Sequence, residues 1–200
     1  MDKSLYLDHL NLLPIPGEVF FYPDFFDEKE SDKYYSYLNT AIDWKQESIQ
    51  VFGEMVLQPR FTAFYGDEGV SYGYSGITMN ALPWTDVLQS IKQDIALKFD
   101  VKFNSCQLSY YRNGEDSMGW HRDNKKSLGR YPFIASVSFG AQRIFQFRNY
   151  EDKIPIISVD LTHGSLLIMK AKTQHLWEHR LPKTIIPTGP RINLTFRLIK

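Results

Sequence analysis

The sequence predicts a mainly β protein with flanking helices and a jelly-roll core. From residue 104 onward, short apolar stretches alternate with glycine-containing turns, at the spacing of a sandwich or jelly roll. Aromatic residues pack well on pleated surfaces, and the 200 residues include 14 Phe, 12 Tyr and 4 Trp. The predicted strands of this half are 105–111, 133–139, 143–148, 154–161, 165–169, 175–180 and 191–198.

Two helices are predicted in the first half of the chain. Asp27 is a suitable N-cap for a helix over 28–42, and a second helix is predicted over 87–99. No internal repeat or low-complexity linker divides the sequence. We therefore expect a single domain over 1–200, in which the residues of about 1–99 are built onto a jelly-roll core of about 100–200.

Cysteine content and the N-terminal sequence predict an intracellular protein. Cys106 is the single cysteine, which excludes an internal disulfide framework and a cysteine zinc cluster. The first ten residues lack the apolar core of a signal peptide, and no apolar run has the length of a membrane span. We expect a monomer without membrane contact, not secreted, cytoplasmic in a bacterium and nuclear in a eukaryote.

Charge is distributed unevenly along a chain whose net charge is zero. Residues 1–99 contain 7 Lys and Arg against 15 Asp and Glu, whereas residues 100–200 contain 16 against 8. A basic second half favours a surface that faces nucleic acid. The alternative is that folding mixes the two halves and cancels the field.

A candidate metal site begins in the segment Gly119-Trp120-His121-Arg122-Asp123. His121 and Asp123 are two residues apart, so both point to one side of an extended segment. Two histidines and one carboxylate leave half of an octahedron open, as in non-haem Fe(II) oxygenases. His163, His175 and His179 could each supply the second histidine. His163 lies in a predicted turn, while His175 and His179 lie on one predicted strand, so their spacing leaves the choice open.

The last predicted strand carries polar residues on one face and apolar residues on the other. Arg191, Asn193, Thr195 and Arg197 alternate with Ile192, Leu194, Phe196 and Leu198. One interpretation is a solvent-facing edge strand. The other is an inner face whose two arginines grip a carboxylate in bidentate fashion. A dicarboxylate co-substrate that also chelates iron would use this grip and the metal site together.

Four segments, in order, resemble the AlkB family of Fe(II)- and 2-oxoglutarate-dependent dioxygenases. They are residues 111–123 around the His-Arg-Asp motif, Ile134-Ala-Ser-Val-Ser-Phe-Gly-Ala, His163-Gly-Ser-Leu-Leu-Ile-Met and Pro190-Arg-Ile-Asn-Leu-Thr-Phe-Arg197. The resemblance implies a double-stranded β-helix core with a nucleotide-recognition lid. It also implies oxidative demethylation of 1-methyladenine and 3-methylcytosine in DNA, which consumes O₂ and 2-oxoglutarate and releases formaldehyde, succinate and CO₂. The same chemistry on RNA or on another lesion is the alternative.

The resemblance assigns roles to individual residues. Fe(II) binding falls to His121, Asp123 and His179. Contacts with 2-oxoglutarate fall to Tyr111, Ser109, Arg191, Asn193, Thr195 and Arg197. Ser109 departs from the family, which usually has Asn at this position, so a contact through water or no contact is expected there.

The front half resembles the family's lid, and the resemblance assigns substrate contacts to Phe52, Arg60, Tyr72, Tyr74, Ser75, Arg122 and Lys125. An aromatic pocket would offset part of the cost of extruding a base. Phe52 resembles an aromatic wedge at the tip of a hairpin. For Tyr72 and Phe52 the structural alternative is ordinary packing. Lys125 is a departure, because relatives carry an acidic residue there, near a cationic base.

A function of another class is a catalytically silent nucleic-acid-binding or damage-sensing module. Such a module would keep the jelly roll but would produce no succinate from 2-oxoglutarate. The combination of a metal motif and an arginine pair favours the enzyme.

Overall fold

The computed structural model of the chain describes residues 10–51, 53–74 and 76–200. Its strands, in chain order, are β1 (Gly17–Tyr22), β2 (Ser48–Val51), β3 (Glu54–Leu57), β4 (Phe61–Gly66), β5 (Ser71–Tyr74), β6 (Ile77–Asn80), β7 (Leu82–Pro83), β8 (Ser105–Tyr111), β9 (Met118–His121), β10 (Ile134–Gly140), β11 (Arg143–Asn149), β12 (Ile156–Leu161), β13 (Ser165–Ala171), β14 (Trp177–Leu181) and β15 (Arg191–Arg197). The helices are α1 (Glu28–Ala41), α2 (Asp86–Phe99) and α3 (Thr173–Leu176). The mainly β fold predicted from the sequence is confirmed.

Two sheets form the body of the jelly roll. The major sheet has the order β1-β13-β10-β15-β8-β4-β7, and the minor sheet has the order β12-β11-β14-β9. Successive residues of a strand face opposite sides of a sheet. Leu166 and Ile168 of β13 therefore pack towards the helices, whereas Leu167 and Met169 pack with Phe147 of the minor sheet. The functional site lies in the space between the two sheets.

The N-terminal half contributes directly to the major sheet, so the expected core of about 100–200 was too narrow. β1 pairs with β13 at one edge, and β4 pairs with β8 near the other. Without these partners, β13 and β8 would each present unpaired N–H and C=O groups along one side. Val19 of β1 is fully buried, which adds an apolar contribution to the pairing.

Helices α1 and α2 cover the outer face of the major sheet. Asp27 caps α1, as predicted, because its side chain accepts a hydrogen bond of 2.8 Å from the Glu30 N–H. Thr85 caps α2 in the same way through the Leu88 N–H. Leu38 and Leu88 are fully buried in the core beneath the helices. Within the described ranges, no helix has the length and apolarity needed to cross a bilayer.

Two hairpins stand beside the sheets, β2 with β3 and β5 with β6. The first is the hairpin predicted around Gly53, whose φ of +91° suits glycine. Gly76, with φ of +84°, plays the same part in the second. The predicted site residues Phe52 and Ser75 lie outside the described residues, and so does the side chain of Tyr74.

Candidate active site

A cavity of about 240 Å³ opens between the two sheets, and most of the residues singled out in the sequence line it. We call this space the site cavity. Predicted residues on its wall are Arg60, Tyr72, Ser109, Tyr111, His121, Arg122, Asp123, Lys125, His179, Asn193, Thr195 and Arg197. Residues on the wall that were not predicted include Gln107, Met118, Ser136, Phe145 and Met169.

His121 and His179 face each other across the paired strands β9 and β14. Their ring centroids are 4.3 Å apart and the rings are steeply inclined at 71°. Burial lowers the pKa of both imidazoles, to about 3 for His179, where the neighbouring His121 adds to the effect. Both rings are therefore neutral at physiological pH, which is the form that binds metal ions.

The two imidazoles differ in their hydrogen bonds. His121 Nδ1 donates to the Gly119 carbonyl at 2.9 Å, which leaves the lone pair of the ring on Nε2. His179 is 2% exposed and packs against the rings of Phe145 and Phe147. Its Nδ1 atom is buried and has no hydrogen-bond partner within the described residues.

The other two candidate histidines lie outside the site cavity. His163 lies in a turn, where its Nδ1 accepts a hydrogen bond from the Gly140 N–H at 2.8 Å. His175 was expected on a strand with His179, and this was wrong. Residues Thr173–Leu176 form the short helix α3, and His175 contacts the Arg130 carbonyl instead. The backbone thus leaves His179 as the partner of His121.

Asp123 lies just beyond the end of β9 and completes the group. Its Oδ2 atom accepts hydrogen bonds from Arg197 Nη2 at 2.7 Å and Nε at 3.2 Å. Burial alone would raise the pKa of Asp123, but Arg197 and the two histidines outweigh it and hold the pKa at about 2. The Asp123 N–H donates to the side chain of Gln174, a fully buried residue that no sequence pattern indicated.

These residues fit Fe(II) by donor type and protonation state. Two neutral imidazoles and one ionised carboxylate share the cavity, and the buried Nδ1 of His179 is unused within the described chain. As the side chains stand, no three His, Cys, Asp or Glu residues among those described are placed to hold a metal ion. The Asp123 carboxylate is instead shared with Arg197. The backbone thus brings the three donor residues to one cavity, while the Asp123 carboxylate is held in a salt bridge with Arg197.

Arg191 is a buried cation that no carboxylate opposes within the described residues. It is 2% exposed, and Nη2 donates to Ser138 Oγ at 2.9 Å, while the buried Nε has no partner in the described part of the chain. Burial lowers its pKa to about 10, and nearby Arg143 adds to this, whereas Tyr111 opposes it. An unpaired buried charge is costly, so a carboxylate ligand is what this position lacks.

The two arginines of β15 do not form one grip, as the sequence had suggested. They stand at opposite ends of the strand, about 20 Å apart along the backbone. Arg197 is committed to Asp123, and Arg191 does not border the site cavity although its partner Tyr111 does. This placement does not favour a shared bidentate hold on one carboxylate, and the assignment of both arginines to 2-oxoglutarate stays a prediction, for which Arg191 is the one without a carboxylate partner among the described residues.

Between these arginines, side-chain hydrogen bonds connect the polar face of β15 to the neighbouring strand β10. Asn193 donates to Ser136 Oγ and to the Val137 carbonyl, both at 2.8 Å, and accepts from Thr195 at 3.1 Å. Ser109 stands opposite Asn193 on β8. The face points into the site cavity, which excludes the solvent-exposed edge strand considered from the sequence.

The outer part of the cavity is formed by Tyr72 of β5 and by basic side chains. Tyr72 is 5% exposed and lies 6.2 Å from the Phe64 ring. Lys125 Nζ is 5.2 Å from the Tyr72 ring centroid and contacts the Gly73 carbonyl. Arg122 donates to the His175 carbonyl at 3.0 Å and lies over the Tyr150 ring.

Comparisons with known proteins agree with this geometry. Residues 18–197 match the 2OG-Fe(II) oxygenase superfamily. Alpha-ketoglutarate-dependent dioxygenase alkB homolog 3 of Bos taurus is 42% identical over 186 residues, and that of Homo sapiens is 41% identical over 192. These alignments cover 88% and 92% of this chain but only 64% and 66% of the relatives, so the chain spans slightly under two thirds of their length.

Two further comparisons support the same family. DNA oxidative demethylase ALKBH2 of Mus musculus is 36% identical over 188 residues, covering 89% of this chain and 79% of the relative. The structure of OsALKBH1 superposes with a TM-score of 0.65 at 16% identity, covering 92% of this chain and 100% of that one, which supports the fold. The family resemblance read from the sequence is confirmed, and the chain belongs to the AlkB family within the 2OG-Fe(II) oxygenase superfamily.

Proposed function

We propose that this protein is an Fe(II)- and 2-oxoglutarate-dependent dioxygenase that removes N-alkyl groups from bases in DNA. The observation that carries the proposal is the site cavity, in which neutral His121 and His179 meet ionised Asp123 beneath an aromatic and basic rim. Relatives named alkB homolog 3 and DNA oxidative demethylase support it. Action on RNA remains the alternative, and a monomer inside the cell remains an expectation from the sequence.

The proposed division of labour follows from the contacts. His121, Asp123 and His179 would hold Fe(II), which would supply, with 2-oxoglutarate and O₂, the oxidation that releases an N-methyl group as formaldehyde. Arg197 keeps Asp123 ionised. The hydrogen bond to the Gly119 carbonyl keeps the proton of His121 on Nδ1. The rings of Phe145 and Phe147 pack against His179 and exclude water from it.

In this proposal, Arg191 binds 2-oxoglutarate, and the aromatic and basic residues of the outer part of the site cavity bind the alkylated nucleotide. Arg191 and Tyr111 would bind a carboxylate of 2-oxoglutarate, because a buried guanidinium that meets no carboxylate in the described part of the chain makes a strong charge-assisted bond to such a ligand. Tyr72 would contact an extruded base, while Arg60, Arg122 and Lys125 lie where phosphates or base edges approach.

The experiment that tests the proposal measures succinate and formaldehyde with Fe(II), 2-oxoglutarate and oligonucleotides. Methylated and unmodified strands of the same sequence are compared, in DNA and in RNA. We expect formaldehyde only from methylated strands, in step with succinate. A binding module would retain the strands and form neither product, and that result would refute the enzyme.

Phe52 gives a prediction about strand preference, which rests on the family resemblance alone. The hairpin that carries it exposes Met55, Val56 and Leu57, so its surface is apolar and accessible. If Phe52 occupies the gap left by an extruded base, Phe52→Ala should lower kcat/KM on duplex DNA more than on single strands. Equal losses on both substrates would rule out this role, and Met55→Ala is the matched control on the same hairpin.

A further inference from the structure

We propose that Lys125 makes the site select alkylated bases that are electrically neutral and carry an oxygen, as O6 of guanine or O4 of thymine, on the major-groove side of the alkylated nitrogen. Bases that are cationic and carry an amino group at that position, N6 of adenine or N4 of cytosine, would be disfavoured. This inference rests on the proposed function and concerns its substrate class. It would rank 1-methylguanine and 3-methylthymine above 1-methyladenine and 3-methylcytosine.

Lys125 is placed to contact a base. It lines the site cavity two residues after Asp123, and its ammonium lies near one face of the Tyr72 ring. Arg197 lies 5.4 Å from the centroid of the same ring. Lys125 also contacts the Gly73 carbonyl, which ties the β5–β6 hairpin to this wall. An ammonium has three donors, so this contact leaves two for a ligand.

Among the described residues, the charges on the cavity wall include no free carboxylate that could neutralise a cationic base. The charged arginine, lysine and carboxylate side chains described there are Arg60, Arg122, Asp123, Lys125 and Arg197. Asp123 is the one carboxylate in that described set, and it is paired with Arg197. Fe(II) and the dianion 2-oxoglutarate would cancel each other. The remaining basic side chains would therefore repel a positively charged ring.

Hydrogen-bonding patterns point in the same direction. Methylation at N1 of adenine or N3 of cytosine places a positive charge on the ring, and the neighbouring group on the major-groove side is an amino group, N6 or N4, which donates hydrogen bonds. Cytosine keeps its O2 oxygen on the other side of N3. Methylation at N1 of guanine or N3 of thymine leaves a neutral ring, and the neighbouring group on the major-groove side is an oxygen, O6 or O4, which accepts hydrogen bonds. Guanine keeps its 2-amino group on the other side of N1. Lysine donates and cannot accept. It therefore complements the oxygen of the second pair and opposes both the charge and the amino group of the first.

Three variants test this inference on single-stranded oligonucleotides that each carry one of the four methylated bases. Lys125→Glu reverses the charge, and Lys125→Met removes it while keeping a similar length. Lys126→Glu is the control, because it makes the same change of net charge at an exposed neighbour that is not among the described cavity-lining residues. The readouts are kcat/KM with iron present and binding by fluorescence anisotropy with iron absent.

In the wild-type protein, both readouts should favour the two neutral bases over the two cationic ones by about tenfold or more. Lys125→Glu should reverse the ratio, Lys125→Met should bring it close to one, and Lys126→Glu should leave it unchanged. Equal weakening of all four substrates by Lys125→Glu, with no change in ratio, would overturn the inference and identify a phosphate contact.

The two levels of the proposal fail in different ways. If no base is demethylated but neutral bases still bind better through Lys125, the chemistry is wrong and the selectivity stands. If all four are demethylated at ratios that Lys125→Glu does not move, the chemistry stands and the selectivity is wrong. Loss of both turnover and binding preference would refute both.

Discussion

His179→Ala is expected to abolish succinate formation while the protein stays folded. Loss of a ligand removes the several kcal/mol that a bound metal contributes, so turnover should fall about a thousandfold or more. The fold should survive because His179 Nδ1 makes no hydrogen bond within the described residues, and its loss strands no partner of that atom. Formation of succinate and binding of one Fe(II) equivalent measure the effect, and circular dichroism checks the fold.

His175→Ala is the matched control for this prediction. His175 lies four residues earlier, outside the described cavity-lining residues, and its side chain contacts the Arg130 carbonyl and the Tyr131 ring. It should keep near wild-type activity and metal binding. Equal losses in the two variants would show that the segment matters for folding, and full activity of His179→Ala would remove His179 from the site.

For Asp123, the informative substitution is one that keeps the shape of the side chain. Removal of its carboxylate leaves Arg197 buried without a partner, which typically costs about 3–5 kcal/mol. Loss of activity in Asp123→Ala would therefore mix unfolding with chemistry. Asp123→Asn keeps the shape of the side chain, so comparing its activity with its thermal stability separates the two effects.

Sequence periodicity predicted the strands and the polar face of β15 well. Arg191 to Arg197 alternate in and out over one uninterrupted strand, and a period of two residues survives folding unchanged. The N-cap Asp27 was also predictable from local sequence, because a cap bonds a backbone N–H only three residues away. Local rules therefore gave most of the fold and the direction of the site residues.

Pairings between distant residues were beyond those local rules. Arg197 and Asp123 are 74 residues apart, and Gln174 reaches Asp123 across 51 residues. Arg191 and Arg197 were expected to grip one carboxylate together, but Arg197 forms a salt bridge with Asp123. His175 was misplaced because one turn of helix interrupts the extended segment before β14. Such short turns are set by tertiary contacts and leave little trace in periodicity.

Arg191→Met is expected to raise thermal stability in the absence of ligands and to weaken 2-oxoglutarate binding strongly. Arg191 gives up hydration, and in return it gains side-chain hydrogen bonds to Ser138 and Tyr111 but no carboxylate partner among the described residues. Apolar replacement of such buried charges is often neutral or stabilising by about 1–4 kcal/mol. For a chain of this size, each kcal/mol raises the melting temperature by about 2–4 °C.

Affinity for 2-oxoglutarate should change in the opposite sense. Loss of a buried charge-assisted contact costs roughly 2–5 kcal/mol, which corresponds to a Kd about 30-fold to several thousandfold higher. Saturating 2-oxoglutarate with a divalent metal should therefore raise the melting temperature of the wild type and have little effect on Arg191→Met. Thermal unfolding with and without the two ligands measures both halves of the prediction.

Arg143→Met provides the decisive comparison, because Arg143 is equally buried but fully engaged. Its guanidinium donates to the carbonyls of Asn113, Asp116 and Pro182, at 2.9, 3.0 and 2.6 Å. Methionine there would strand three carbonyls and lower the melting temperature. Equal destabilisation of both variants would mean that Arg191 is structural. A higher melting temperature for Arg191→Met and a lower one for Arg143→Met would show that Arg191 destabilises the ligand-free protein, as expected of a residue whose partner is a ligand.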